Sequence, residues 1–406
     1  MRFLVFAISV HLAMTGPEAR DSHGLNQYVL RYETLDYDRG SVAAQRSRSS
    51  ASGVHLSFQS HGKLFKLKLD RDTSVLNADA EFVSEDDARL EVDTSHLYAG
   101  YLEDDPHSRA YGSISDGVFD GKIYSSDGIF YVERASKYQL TNTSTGVHSI
   151  IYRDDDVLDP YGQHVDGSVR NPKENLKSHL QNEIYGRIKR RAAESNELGT
   201  CSVSVTIDPY MWKYFSKLNH GNAELTKRDI NSLIAQHFAA VSSIYRSTVF
   251  EGKYLHRIAS FQVIHVKYHD LSECAPDYRG TENRYCRQLD AANLLELHSE
   301  ANHEAVCLSY VFTCRDFENG VLGLAWLARP TVNVAGVCAR RSKPFYAKPD
   351  TVASLNTGIV SFINYGHRIP SKVTELTLAH EIGHSLGSPH DSPSHCKSNR
   401  TDGNVH

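Results

Sequence analysis

One eleven-residue stretch, His380 to His390, constrains the fold of this chain more than any other feature. It reads H-E-x-x-H-x-x-G-x-x-H. His380 and His384 are four residues apart, so a helix presents both imidazoles on one face to a single metal ion. Gly387 lacks a Cβ, which lets the chain turn sharply and bring His390 in as a third ligand. Three neutral imidazoles leave the fourth tetrahedral position of a Zn²⁺ ion open, and this predicts a catalytic zinc site.

The glutamate inside this pattern, Glu381, is predicted to act as general base. Its ionised carboxylate accepts hydrogen bonds only, so it can take a proton from an attacking water and deliver it to a leaving amine. Asp391, directly after the third histidine, is either a partner that positions a ligand or a solvated turn residue. The competing explanation is that the motif arose by chance in a chain with 22 histidines. The predicted helix also has an apolar side that suits burial, and this disfavours chance. That side is formed by Val373, Leu376, Leu378, Ala379, Ile382 and Leu386.

The N-terminal end has the pattern of a secretory signal peptide. Arg2 precedes an apolar run from Phe3 to Val10 that is too short to cross a bilayer, so we expect residues 1–19 to be a leader. N-x-S/T sequons at Asn142 and Asn399 are candidate glycosylation sites. No stretch approaches 18 consecutive apolar residues, so no membrane span is predicted within these residues. Together these features predict passage through the secretory pathway and an extracellular or cell-surface location.

Charge and cysteine content narrow the class of protein further. A net charge of −5 and a pI near 6.5 give no reason to expect nucleic acid or anionic membrane as a partner. Residues 1–200 contain no cysteine, and all seven lie beyond, at positions 201, 274, 286, 307, 314, 338 and 396. An odd number cannot pair completely within the chain. Proximity in sequence alone predicts a disulfide between Cys274 and Cys286.

A basic run marks the sharpest internal boundary. Arg187, Lys189, Arg190 and Arg191 lie in a polar stretch, in the R-x-K-R arrangement that furin-type proprotein convertases cut. A solvated basic run at a helix end is the alternative, but the cysteine-free half stops here and linkers are where chains are nicked. We therefore expect a propeptide over residues 20–190, released by a convertase cut after Arg190 or Arg191, and a second domain over 191–406.

The two halves differ in hydrophobic periodicity. Apolar and polar residues alternate over 54–58 and 64–69, and glycine-containing turns punctuate further strands such as 128–132. After the basic run the pattern becomes α/β. Strands are predicted over 201–207, 261–266, 305–312 and 357–363, helices over 225–249 and 289–297, and a glycine-broken strand-like stretch over 320–327. We expect a β-rich domain followed by a twisted sheet that carries the site on one edge.

Several stretches resemble the ADAM proteases of the metzincin family, most closely the Kuzbanian or alpha-secretase branch. They are the zinc motif with its ending Gly387–Asp391, then Ser354–Gly358, Asn364–Gly366, Asp316–Trp326, Asn26–Glu33, Asp93–His96 and Phe130–Glu133. The resemblance implies an α/β (α+β) metzincin domain with a mostly parallel sheet, behind a β-rich propeptide. It also implies a zinc endopeptidase zymogen that sheds ectodomains of cell-surface proteins, Notch-type receptors among them. Full-length relatives in this branch are single-pass plasma-membrane proteins.

The resemblance also implies roles for individual residues. A substrate peptide is expected to bind as an added strand along Gly323, Leu324 and Ala325. Val373 and Thr374 are expected to line the specificity pocket. A disulfide is expected between Cys201 and Cys307, with Cys338 and Cys396 pairing beyond His406 and Cys314 free or mispaired.

Two departures from the family pattern leave alternatives open. The residues end at His406, where the family's methionine turn should begin, and the only methionines are Met1, Met14 and Met211. The catalytic domain is therefore expected to be truncated before or at that turn. The alternative function is a catalytically incompetent fragment that acts as a binding or dominant-negative product. A third class, a His-rich metal-binding or adhesion module, has only the histidine content in its favour.

The second departure concerns latency. The propeptide has no cysteine, so a thiolate from it cannot occupy the zinc ion. We expect a separate β-rich domain that covers the cleft, by steric cover or through His164 or Asp166.

Overall fold

The computed structural model describes residues 25–48, 53–72, 74–140, 146–158, 199–247, 258–275, 283–328, 335–343 and 352–390. Several predicted features lie outside these ranges. They are the leader, Asn142, His164, Asp166, the basic run Arg187–Arg191, Asp391, Cys396 and Asn399. The described residues form two main sheets and five α-helices, with a small two-stranded ribbon beside the second sheet.

The N-terminal half supplies the first sheet. Eight antiparallel strands lie in the order β1-β9-β8-β7-β6-β5-β3-β2. The elements of this half are β1 (Glu33–Leu35), α1 (Arg39–Arg48), β2 (Val54–Ser60), β3 (Lys63–Arg71), β4 (Leu76–Val83), β5 (Leu97–Leu102), β6 (Asp105–Ser115), β7 (Val118–Ser125), β8 (Gly128–Arg134) and β9 (Ser149–Arg153).

The hairpin β2–β3 illustrates why these residues form strands. Alternate residues of β2 are buried and exposed along its whole length, as the sequence pattern predicts. His61 and Gly62 connect the strands with φ values of 50° and 72°, the left-handed geometry of a tight two-residue turn. The buried side chains on one face pack with Phe65, Phe119 and Phe130 into a core of their own.

The C-terminal half supplies the second sheet. Its elements are β10 (Gly199–Ile207), α2 (Pro209–Leu218), α3 (Ala223–Ser247), β11 (Ile258–Tyr268), α4 (Ala291–Ser299), β12 (Leu308–Thr313), β13 (Gly323–Ala325), β14 (Thr357–Ser361), β15 (Ile363–Asn364), β16 (His367–Arg368) and α5 (Ser371–Ser385). The six-stranded order is β13-β14-β12-β10-β11-β4. All neighbours are parallel except β13 and β14. The predicted fold class, a mostly parallel α/β sheet after a β-rich region, is confirmed.

Two elements differ from the sequence expectation. Helix α2 was not predicted, although its start is encoded locally: Asp208 Oδ1 accepts a hydrogen bond from Met211 N at 2.9 Å, and Pro209 occupies the first turn. Strand β4 belongs by position to the N-terminal half but pairs with β11 in the second sheet. The N-terminal half is therefore not the fully separate domain that the sequence suggested.

Helix α5, which carries the histidine motif, is anchored through its apolar side. Leu378 and Ile382, one turn apart, are fully buried in the core of the second sheet. Tyr245 on α3 donates a hydrogen bond from its hydroxyl to Ala379 O at 2.8 Å. Leu386 is 36% exposed, so its predicted burial on this side is wrong: it follows the last helical residue. The burial of one side leaves the histidines on the open side.

Candidate metal centre

The three histidines of the motif converge on one point. The Nε2 atom of His390 lies 3.1 Å from Nε2 of His380 and 3.0 Å from Nε2 of His384. One nitrogen from each residue lies within 4.8 Å of the other two. Tetrahedral Zn²⁺ with nitrogen ligands at 2.0–2.1 Å separates its ligands by about 3.3 Å. The arrangement therefore suits one metal ion held by three imidazoles.

Backbone contacts at the end of α5 fix the orientation of the His384 ring and the turn that leads to His390. His384 Nδ1 donates to Ser388 O at 2.7 Å, because a carbonyl can only accept. This leaves the lone pair on Nε2, the nitrogen that faces the other two histidines. Gly387 has φ +100°, and Ser388 N bonds Gly383 O at 2.9 Å, which closes the turn toward His390. The predicted role of Gly387 in the turn is confirmed.

The carboxylate of Glu381 lies beside the histidines in a dry position. The residue is 4% exposed, and its Oε2 atom has no hydrogen-bond partner among the residues that the structure describes. Burial raises the pKa of Glu381 to about 8, and a Zn²⁺ ion held by the neighbouring histidines would oppose that rise and favour the ionised carboxylate that a general base needs. A buried, unpartnered acceptor next to three convergent imidazoles fits a site that receives a water molecule or a substrate.

A short edge strand passes directly over this carboxylate. A Cβ atom added at Gly323 would lie 2.6 Å from Glu381 Oε1, so only glycine permits this approach of β13 to α5. Among the residues that the structure describes, Gly323, Leu324 and Ala325 pair with a strand on one side only, namely β14. The following loop is tied to the helix, since Ala328 N bonds His384 O at 2.9 Å. The segment that contains β13 is therefore in direct contact with the helix that carries His380 and His384.

Comparison with known proteins agrees with this geometry. Residues 198–404, about half of the chain, match the model of metallopeptidase family M12. The chain belongs to metallopeptidase family M12. The matched range includes the three histidines, Glu381 and the edge strand β13. Membership of a metallopeptidase family agrees with the predicted enzyme class, and the family implies a metal cofactor.

Relatives among characterised proteins extend the similarity into the N-terminal half. The chain is 34% identical to a Caenorhabditis elegans homolog of disintegrin and metalloproteinase domain-containing protein 10, over 94% of this chain and 46% of the relative. It is 34% identical to the bovine protein of that name, over 92% and 50%, and 33% identical to the human protein, over 98% and 53%. The predicted ADAM-type resemblance is confirmed. The chain spans about half the length of these relatives.

Two residues expected in a specificity pocket are buried inside the molecule. Val373 and Thr374 are fully buried in the first turn of α5. Val373 packs in a cluster with Tyr131 and Ile150 of the N-terminal half, and Thr374 Oγ1 is 2.7 Å from Nε2 of His237. The N-terminal half covers that end of the helix, so the expected pocket-lining role of these residues stays a prediction.

The cysteines fall into a bonded pair and a cluster. Cys274 and Cys286 form the disulfide that sequence proximity predicts. Cys201 lies on β10 and Cys307 directly precedes the neighbouring strand β12, and Cys338 Sγ is 2.9 Å from Cys307 Sγ. No bond joins these three in the described structure, so the Cys201–Cys307 disulfide stays a prediction. Cys338 was expected to wait for a distant partner but lies beside Cys307. Cys314 is unbonded, as expected.

Sequence reasoning missed a buried polar cluster on α5. Lys122 Nζ lies 2.8 Å from Glu375 Oε2, and Tyr131 donates to the same oxygen at 3.1 Å. Burial raises the pKa of Glu375 above its ordinary value, and the Lys122 ammonium opposes the rise. One feature of the sequence points to this cluster: Glu375 lies at a helical position that the apolar pattern of α5 assigns to the interior.

No helix in the described ranges is both long enough and apolar enough to cross a membrane.

Proposed function

We propose that the C-terminal half is a zinc endopeptidase, in which His380, His384 and His390 hold Zn²⁺ and Glu381 is the general base. The observation that carries the proposal is the convergence of three Nε2 atoms beside a buried, unpartnered carboxylate oxygen. Neutral imidazole is a common ligand of catalytic zinc, and three such ligands leave one position for water or substrate.

Glu381 moves the proton in this chemistry. When bound, Zn²⁺ acts as a Lewis acid that lowers the pKa of water to about 7 and polarises a carbonyl group. The Glu381 carboxylate accepts the proton of the attacking water and then donates it to the amine of the departing peptide. Its burial keeps competing water away, and the glycine at position 323 leaves room for the carboxylate to reach the substrate.

A substrate peptide is proposed to lie along β13. This strand bonds β14 on one side, and its three residues are half-buried. An extended peptide that adds to the other side gains backbone hydrogen bonds, which fix its register across the zinc ligands. Protein substrates in an extended conformation are therefore the class that this edge selects.

The remainder of the chain is proposed to make this enzyme a secreted zymogen. Residues 1–19 act as the leader, and a proprotein convertase cuts the propeptide 20–190 at Arg187–Arg191. Asn142 and Asn399 carry glycans, and Cys201 pairs with Cys307. The protein acts outside the cell or at its surface. The ADAM-type similarity supports ectodomains of cell-surface proteins, Notch-type receptors included, as substrates.

Latency is proposed to come from the N-terminal half. Contacts at the start of α5 support steric cover: Glu133 Oε1 accepts from Ser371 N at 3.0 Å, and Lys372 Nζ donates to Asp154 O at 2.7 Å. His164 and Asp166 are the candidates for a direct metal contact. A histidine or carboxylate binds zinc less strongly than a thiolate, so surface contact carries most of the inhibition.

The replacement Glu381→Ala tests the catalytic assignment. We expect peptide hydrolysis, measured after the linker is cut and the N-terminal half removed, to fall by about 10²–10⁴-fold, because Glu381 moves protons. Zinc content should stay at the wild-type level, because Glu381 is not a ligand. Glu318→Ala, at an exposed carboxylate near β13, is the matched control and should hydrolyse at the wild-type rate. A near-wild-type rate for Glu381→Ala would place the proton relay elsewhere.

A further inference from the structure

The N-terminal half contributes one strand to the sheet that carries the candidate site. Strands β3 and β5 pair with each other in the first sheet, and the chain between them leaves that sheet to form β4. There β4 runs parallel to β11, with Leu76 opposite Val263 and Phe82 opposite Val266. This is a crossing between the two halves that does not depend on the linker over residues 187–191.

Side chains of this strand are part of the second sheet's own core. Leu76 is 1% exposed and Phe82 is 7% exposed, and both belong to the cluster that contains Phe261, Val263 and Val266. Burial of a large apolar side chain stabilises a structure substantially, and the same burial holds a bound strand. Withdrawal of β4 exposes these apolar faces to water.

Backbone and polar contacts add to the apolar ones. Val263 N donates to Val75 O at 3.1 Å. Just beyond the strand, Glu85 Oε2 lies 2.9 Å from His269 Nδ1, with both side chains largely buried. The segment is therefore held by backbone hydrogen bonds, apolar burial and a sheltered polar pair, which is the set of contacts found in complexes formed by strand addition.

We propose that the N-terminal half stays bound to the catalytic half after the linker is cut, as the donor of strand β4. The proposal rests on the proposed processing at Arg187–Arg191 and deepens it. A cut there breaks one peptide bond and none of the contacts made by β4. Activation then has two steps: the cut, and the later withdrawal of β4 from β11. Until the second step, the N-terminal half caps one edge of the sheet and covers the start of α5.

The buried pair Lys122–Glu375 is a second connection between the halves, but it stabilises the complex less than strand β4 does. Both charges lose their hydration in the complex, and this cost offsets most of their attraction. Strand β4 buries apolar surface without that cost. Loss of β4 contacts should therefore weaken the complex more than a balanced replacement of the buried pair.

The test separates the strand from the processing event. In the full chain, residues 187–191 are replaced by the recognition sequence of a site-specific protease, with different affinity tags on the two ends. After the cut, we expect the halves to elute together in gel filtration and to copurify through either tag. Because the cut is installed, the result does not depend on whether a convertase accepts the native sequence.

Paired variants test whether strand β4 retains the N-terminal half. Leu76→Ser with Phe82→Ser should weaken the cut complex by at least about 100-fold, because two large apolar contacts are lost. Glu81→Gln is the matched control on the same strand, since its side chain is 58% exposed, and it should leave the complex intact. Circular dichroism of each uncut chain verifies folding, because the tether keeps the strand at high local concentration.

Two results would overturn the proposal. Separation of the wild-type halves directly after the cut in native buffer would show that β4 does not retain the N-terminal half. Copurification of the cut Leu76→Ser, Phe82→Ser variant at wild-type strength would show that other contacts hold it. The wild-type result decides the first question even where the double variant does not fold.

Discussion

The two edges of the six-stranded sheet differ in how they are closed. At one edge, β13 has only three residues, all half-buried, and passes over Glu381. At the other edge, β4 has eight residues and comes from the opposite end of the chain. An unpaired strand edge attracts any extended chain. Under the proposed function, the short edge beside the three histidines takes a substrate, whereas the chain's own strand β4 occupies the distant edge.

The comparison teaches that edge pairing serves two purposes within one sheet. Backbone hydrogen bonds give affinity with little sequence specificity, which suits a protease that takes extended peptides. The same bonds at the distal edge, combined with buried Leu76 and Phe82, give retention. The two edges differ because β4 carries buried apolar side chains. The three-residue strand β13 is too short to provide an equivalent set.

The experiment with the largest expected effect tests whether contacts at α5, and not those at the distal edge, hold the N-terminal half. Lys122→Ala leaves the Glu375 carboxylate buried without its partner, so the uncut chain should lose about 3–5 kcal/mol of unfolding free energy in urea. The double variant Lys122→Met, Glu375→Leu should recover most of that loss. No recovery would mean that the pair itself, and not an orphaned charge, stabilises the interface.

A second experiment disturbs the substrate edge. Gly323→Val should lower kcat/KM about 100-fold, because the new Cβ would lie 2.6 Å from Glu381 Oε1 and displace the carboxylate or the strand. Zinc content should not change. Gly199→Ala is the control, because an added Cβ there meets no atom within 4 Å. Equal rates for the two variants would show that β13 does not set the catalytic geometry.

The smallest expected effect concerns the exposed end of the distal edge. Asp87 and Lys267 form an ion pair at 2.8 Å, but the Asp87 side chain is 76% exposed. Such pairs contribute about 0–1 kcal/mol, so Asp87→Asn, which removes the charge but tolerates the φ of 60° at this position, should change the urea midpoint of the uncut chain little. A large decrease in the urea midpoint would show that polar contacts stabilise the distal edge. It would contradict the proposal that apolar burial retains β4.

The site was largely predictable because its determinants are local. The spacing of His380 and His384 fixes their common helix face, and Gly387 supplies the positive φ that the turn requires. The hairpin β2–β3 was predictable for a similar reason, since alternation sets its register. In each case the relevant contacts lie within a few residues along the chain.

The missed features depend on contacts that are distant in sequence. Lys122 and Glu375 are 253 residues apart, and neither position has a local pattern that points to the other. Strand β4 pairs with β11, which lies far away along the chain, and the ion pair just beyond β4 joins Asp87 and Lys267, 180 residues apart. The strands that flank it in sequence, β3 and β5, both belong to the first sheet, so local order would place β4 there too. Burial of Val373 by the N-terminal half is a consequence of the same long-range packing.

The most direct test of the central claim is the zinc content of the purified full chain. Atomic absorption should give about one equivalent per chain, bound by His380, His384 and His390. The double variant His384→Ala, His390→Ala should lose that equivalent, while Glu381→Ala keeps it. A double variant that retains a full equivalent of zinc would contradict the assignment of the site.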